Sequence, residues 1–146
     1  MKNYIAIIIP AYKPDYLVKT LQSLSDQTDK GFRLYIGDDN SPSDLLSIIN
    51  PFKTKMDIIY VRFEENLGRK DLVAHWNRCL GMMGDEDYFI LFSDDDEMQP
   101  TCIEQLKKTI EIYDEDVLHF NLQIIDKNSD PLGAPTSYKE ILSSTD

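Results

Sequence analysis

The stretch "YIAIIIPAYKPDYLVKTLQSLSDQTDKGFRLYIGDDNS" (4–41) decides the fold. Its first run, "YIAIII" (4–9), is apolar, short and rich in β-branched residues, and Pro10 ends it, which reads as a first strand. "PDYLVKTLQSLSDQT" (14–28) then sets Leu17, Leu21 and Leu24 at helical spacing, with Pro14 and Asp15 suited to a first turn. "FRLYIG" (32–37) returns to an apolar run, and "DDNS" follows it without a gap. Strand, helix and strand over short connections make a βαβ unit, so the two strands lie parallel.

Working outward, the alternation continues. "SDLLSIINPF" (43–52) predicts a short helix with Ser43 as N-cap, and "DIIYVRF" (57–63) a third strand. "ENLGR" (65–69) is a turn before a helix over 70–84, whose stripe holds Leu72, Trp76, Cys79, Leu80 and Met83. "YFILF" (88–92) predicts a buried fourth strand, "PTCIEQLKKTIEIYD" (100–114) a helix, and "DVLHFNLQIID" (116–126) a long strand. "KNSDPLG" (127–133) has the residues of a hairpin turn. The expected class is α/β, a mostly parallel sheet with helices on both faces.

Composition narrows the functional classes. A chain of 146 residues with 42% apolar content suits one domain with a real core. No run approaches the roughly 20 apolar residues that span a bilayer. The opening run is too brief for a signal peptide and ends in Pro rather than a cleavage site. Cys79 and Cys102 sit in predicted helices without metal-type spacing and read as reduced thiols. A cytoplasmic protein is expected, with a peripheral station at the inner membrane face left open. The net charge of −11 leaves no basic patch for nucleic acid.

Ligands of such sheets bind beyond the carboxyl ends of the strands. "PAYK" (10–13), "GDDNS" (37–41) and "SDDDE" (93–97) directly follow strands, and "ENLGR" follows the third after a short extension, so all four belong on one edge. Asp94, Asp95 and Asp96 form a row that Mg²⁺ or Mn²⁺ would suit, although only one or two of the carboxylates can reach one ion. The alternative for such acids is the positive end of the next helix, the role expected of Glu97. Asp39 is the ligand candidate of the second cluster, while Asp38 reads as structural and Asn40 and Ser41 as turn residues. Tyr12 can stack on a base, and Arg69 can meet a phosphate or base. His75 and His119 have no triad partner and read as structural. No GxGxxG or GxxxxGK[ST] occurs, which weakens dinucleotide and P-loop readings.

In this order and spacing the motifs over residues 3–125 resemble the family 2 glycosyltransferases of GT-A fold. The resemblance implies a nucleotide-sugar donor, UDP-sugar favoured, bound with Mn²⁺ or Mg²⁺. It implies that Pro10, Ala11 and Tyr12 line the nucleoside pocket, that Asp39 holds the base, and that Arg69 lies against base or phosphates. The "SDDD" row matches the family's DxD region, with Asp95 as first metal ligand, Asp96 as a second, and Asp94 facing the ribose or sugar. Lys13 stands where the family commonly has Asn. The family's general base would lie beyond residue 146, so residues 1–126 read as the donor-binding domain and 127–146 as a hairpin and tail leading to an acceptor-binding half. The implied activity is inverting transfer of a sugar to an acceptor hydroxyl, in polysaccharide or cell-envelope glycan synthesis. The acceptor would be a glycan or lipid-linked sugar, and a homodimer stays open. Two alternatives stand beside this: donor binding without turnover, and a Mg²⁺-dependent phosphotransfer domain, which lacks its DxDxT pattern here.

Overall fold

A computed structural model describes residues 5–113 and 115–137. These fall into two compact units, divided between Lys107 and Lys108.

The first unit carries the alternation. Strands β1 (Ile5–Ala11), β2 (Phe32–Asp38), β3 (Ile58–Arg62) and β4 (Tyr88–Leu91) are separated by helices α1 (Leu17–Ser25), α2 (Leu45–Ile49) and α3 (Leu72–Leu80). A 3₁₀ turn, Asn50–Phe52, follows α2, and helix α4 (Cys102–Tyr113) follows β4. The strands of the described sheet are all parallel, in the order β3-β2-β1-β4. In register, Ile7 pairs with Leu34 and Ile90, and Ile8 with Tyr35 and Leu91. β1 is central, and Ile5, Ile7, Ile8 and Ile9 are fully buried, each such side chain contributing about 1.5–3 kcal/mol. That is why the isoleucine run forms a strand and not a surface segment.

The strand order fixes which face each helix covers. From β1 to β3 the chain steps in one direction, and from β3 to β4 it steps back. Right-handed crossovers therefore put α1 and α2 on one face and α3 on the other. Ala6, Ile8, Tyr35 and Cys79 of α3 accordingly form one buried cluster. Gly37 of β2 lets α3 approach, because a Cβ there would stand 2.4 Å from Cys79 Sγ. On the first unit's other side, Gln27 joins α1 to the start of α4: its amide donates to the Gln99 carbonyl at 2.8 Å and accepts from Ile103 N–H at 3.1 Å.

Several local expectations change. β4 is an edge strand of the described sheet, and Phe89 is 53% exposed, because α3 lies over β1 and β2 rather than over β4. Asp44, not Ser43, caps α2, accepting from Ser47 N–H at 3.2 Å. Glu97 precedes α4 instead of opening it, and Glu104 is the acid of its first turn.

In the second unit, 116–126 does not form the expected strand. A strand needs a ladder along its length, and here pairing is confined to the hairpin. Leu132 N–H donates to Ile124 O at 2.8 Å, Asp126 N–H to Asp130 O at 2.9 Å, and Ile125 bridges Pro131. Pro131 has no N–H to give to the ladder, and beyond Leu132 the pairing resumes where Thr136 N–H donates to Leu122 O at 2.8 Å. The expected turn is present: Asp126 Oδ1 accepts from the N–H of Asn128 and Asp130, and Ser129 adopts φ 72°.

Candidate functional site

The chain reverses direction across the sheet between β1 and β4, the point at which the carboxyl ends of such a sheet leave a ligand crevice. Loops from three strands are tied together at this edge by two backbone hydrogen bonds and one from a serine side chain. Asp39 N–H donates to Ala11 O at 2.9 Å, Ser41 Oγ to Tyr12 O at 2.7 Å, and Phe63 N–H to Asp38 O at 2.9 Å. Across the crevice, Asp94 Oδ2 accepts from the N–H groups of Tyr12 at 2.8 Å and Lys13 at 3.0 Å. The structure therefore brings Pro10, Ala11, Tyr12, Asp39 and Asp94 into one edge, as the sequence predicts.

The acids after β2 are engaged by the protein. Asp38 is fully buried; its Oδ1 accepts from Ser41 N–H at 2.7 Å, and its Oδ2 from Tyr60 OH at 2.6 Å and Arg62 Nη1 at 3.0 Å. Burial, and next the hydrogen bond to Asp38, push the Tyr60 phenol up to about 12. Asp39 is also buried, and it holds the turn before α3. Its Oδ1 accepts from Leu67 N–H at 2.8 Å and from Arg78 Nη2, and its Oδ2 accepts from Gly68 N–H at 2.9 Å. A Cβ at residue 68 would lie 2.6 Å from Asp39 Oδ2, so only glycine permits this contact. Four lone-pair directions less three donors leave Oδ2 one further acceptor direction.

Arg78 reaches Asp39 from α3 while its guanidinium lies 4.0 Å from the centre of the Phe63 ring. Its Nε donates to His75 Nδ1 at 3.0 Å, which places the imidazole proton on Nε2. Burial holds the His75 pKa below its ordinary 6.5; Asp39 opposes the shift and Arg78 adds to it. His75 is therefore neutral, 3.5 Å from Asp39 Oδ1. Sequence reading passed over Arg78, Arg62 and Tyr60. The available signal for Arg78 was its i, i+3 spacing from His75, which places both on one face of α3.

The acids after β4 behave differently. Asp95 and Asp96 are exposed, and Ser93 Oγ donates to Asp95 Oδ1. Desolvation by the surrounding chain, then the charges of Asp95 and Asp94, raise the Asp96 carboxyl above 3.8 although its side chain reaches solvent. Two exposed carboxylates under mutual repulsion are a donor set that a hard cation suits. Among the described residues no three His, Cys, Asp or Glu side chains form a closed metal cage. Arg69 stands exposed on the turn that Asp39 holds, its N–H donating to Asn66 Oδ1 at 2.9 Å.

The sequence profile of glycosyl transferase family 2 matches residues 6–144. This chain belongs to that family. The fold of this family 2 domain recurs in solved structures of TarS from S. aureus. TarS 1–349 in complex with UDP matches with a TM-score of 0.71 at 23% identity, over 80% of this chain and 34% of that one. The complex with UDP-GlcNAc gives 0.70 at 23% identity, over 80% and 33%. A longer TarS structure gives 0.69 at 22%, over 78% and 20%. The family 2 domain thus has a GT-A-like fold and spans a fifth to a third of the TarS chains it matches.

Proposed function

We propose that this family 2 domain holds the nucleotide-sugar donor of a glycosyltransferase that moves a sugar from a UDP-sugar to an acceptor hydroxyl with inversion. The observation that carries the reading is the sheet edge between β1 and β4, where two backbone N–H groups hold Asp94 Oδ2 while Asp95 and Asp96 remain exposed. Pro10 and Tyr12 line the nucleoside side, Ala11 being buried in the strand end between them, and the Tyr12 ring is available for stacking. The remaining acceptor direction of Asp39 Oδ2 takes a base N–H, and Asp94 Oδ1 takes a ribose or sugar hydroxyl. Arg69 meets the base or the phosphates, its turn held in place by Asp39. TarS, which shares the fold, is seen with UDP and with UDP-GlcNAc, and this favours a uridine donor.

Asp95 and Asp96 hold Mn²⁺ or Mg²⁺ in this reading. The ion would neutralise the diphosphate that leaves when the acceptor oxygen attacks the anomeric carbon. Two carboxylates suffice, because Mg²⁺ takes its other ligands from substrate phosphates and water. The cation also reconciles a chain of net charge −11 with an anionic donor.

The test is thermal unfolding with UDP, with and without Mn²⁺ or Mg²⁺. UDP is expected to raise Tm only with the metal, and Asp95→Ala to remove the rise. An equal rise without metal overturns the metal role, and no rise with any of the UDP-, GDP- or dTDP-sugars overturns the donor role. A second reading, donor binding without turnover, follows from the third of TarS 1–349 that the chain spans. Measurable UDP-sugar hydrolysis or transfer by residues 1–146 would exclude it.

A further inference from the structure

At the amino ends of β2 and β3, opposite the donor crevice, a cavity of about 390 Å³ is lined by Lys30, Phe32, Lys53, Thr54, Lys55, Met56 and Asp57. β2 has seven residues, which puts this cavity roughly 20 Å from the donor edge at about 3.3 Å per residue. The chain has 26 acids against 15 lysines and arginines, yet three lysines from two separate loops line this cavity.

Their charge is not cancelled locally. Neither Lys53 nor Lys55 has a carboxylate within ion-pair distance among the described residues. Asp57 is the one acid of the lining, and Arg33 Nε engages it at 2.7 Å. Lys30 Nζ donates to the Ser25 carbonyl and keeps further protons for a ligand. Its loop is fixed: Asp29 Oδ1 accepts from Gly31 N–H at 2.7 Å and from Lys107 Nζ at 2.6 Å. Lys55 lies 5.6 Å from the centre of the Phe52 ring, which steadies its ammonium near the rim. Phe32 and Met56 are buried and make the floor apolar, and Thr54 adds a hydroxyl.

We propose that this cavity is a second anion site, taking a phosphate monoester whose charge meets Lys30, Lys53 and Lys55 and whose attached hydroxyls meet Thr54 and Asp57. A bare carboxylate would leave at least one ammonium unanswered, whereas a phosphate oxygen is available for each lysine. The size admits a phosphorylated polyol or sugar, or a lipid headgroup that ends in a phosphate monoester. The site does not depend on the donor reading, since it shares no residue with that crevice.

The test is amide-resolved NMR titration of the 146-residue chain with inorganic phosphate and with glycerol 3-phosphate. Flotation with vesicles containing phosphatidic acid, whose headgroup is a phosphate monoester, against phosphatidylcholine alone, runs beside it. Saturable shifts at residues 30 and 53–57 are expected, glycerol 3-phosphate binding more tightly than phosphate. The doubly exposed change Lys53→Gln with Lys55→Gln should weaken binding more than about tenfold, two charge-assisted bonds being lost. UDP with Mn²⁺ should neither compete nor lose affinity in that variant. Flotation only with phosphatidic acid, lost in the variant, identifies the ligand's source as a headgroup; ester binding without flotation identifies a soluble ester. Overturning results are shifts confined to residues 93–97, shifts reproduced by equal ionic strength of chloride, or full binding by the variant.

Discussion

Two acidic clusters stand on one edge of this sheet and have opposite lives. Asp38 and Asp39 are buried, and every donor they receive comes from the protein itself. Asp95 and Asp96 are exposed, and the raised Asp96 pKa records desolvation and repulsion that the chain leaves uncompensated. A carboxylate surrounded by fixed donors builds a scaffold, whereas a carboxylate left with like charges is matched to a cation that arrives later. Asp94 belongs to both classes, one oxygen held by backbone and the other open.

The sharpest way to break this contrast is to remove one acid from each cluster. Asp38→Ala should cost about 3 kcal/mol in urea unfolding, the low end for a broken buried pair because its partner Arg62 is half-exposed. Asp95→Ala should stay within about 0.5 kcal/mol. Equal losses would dissolve the distinction. Next, the packing behind the scaffold cluster can be probed with Gly37→Ala. It should cost about 1–3 kcal/mol through the clash with Cys79 Sγ, and Cys79→Ala in the same chain should recover part of the loss. Strictly additive effects in that double-mutant cycle would show that the clash is absent.

The third measurement uses pH. His75 is held below 6.5 in the fold, so the unfolded chain binds the extra proton and stability falls as pH drops below about 6.5. A Tm series from pH 8 to 5 should show this decline, and His75→Gln should flatten it; an unchanged slope would remove His75 from the account. The smallest effect belongs to the exposed row. Asp96 has a raised folded pKa, so its ionisation disfavours the fold slightly as pH rises through that value. Asp96→Asn should therefore stabilise the fold marginally at pH 7, by no more than about 0.5 kcal/mol. Mn²⁺ should bind more tightly as pH rises through the acid range, since metal and proton compete for the same carboxylate. Metal affinity independent of pH there would separate Asp96 from the ion.

Much of this was legible in the sequence. Ile5 to Ile9 can only be a doubly covered strand, Leu17, Leu21 and Leu24 can only be one helix face, and their alternation leads to a parallel sheet with its loops on one edge. What escaped depended on distant partners. "YFILF" reads equally well as a central or an edge strand, since exposure of Phe89 is decided by where α3 lies. Residues 116–126 have strand composition, yet their pairing is sparse, a single bridge and a few hydrogen bonds joining 122–126 to 130–136. Ser43 and Asp44 are both good caps, and only backbone geometry selects Asp44. The split between the acid clusters was half visible. Asp38 reads as structural from sequence, but the hold of Asp39 on Leu67 and Gly68 requires Arg78 and a turn far along the chain.

The anchoring of Asp94 by main-chain N–H groups carries a consequence for tolerance to sequence change. Because the donors at residues 12 and 13 are peptide groups, their side chains are released from the task of fixing the acid row. Lys13 can thus replace another residue type without loosening Asp94, and this position can drift while the crevice keeps its shape. One substitution escapes that freedom: proline at 13 has no N–H to give.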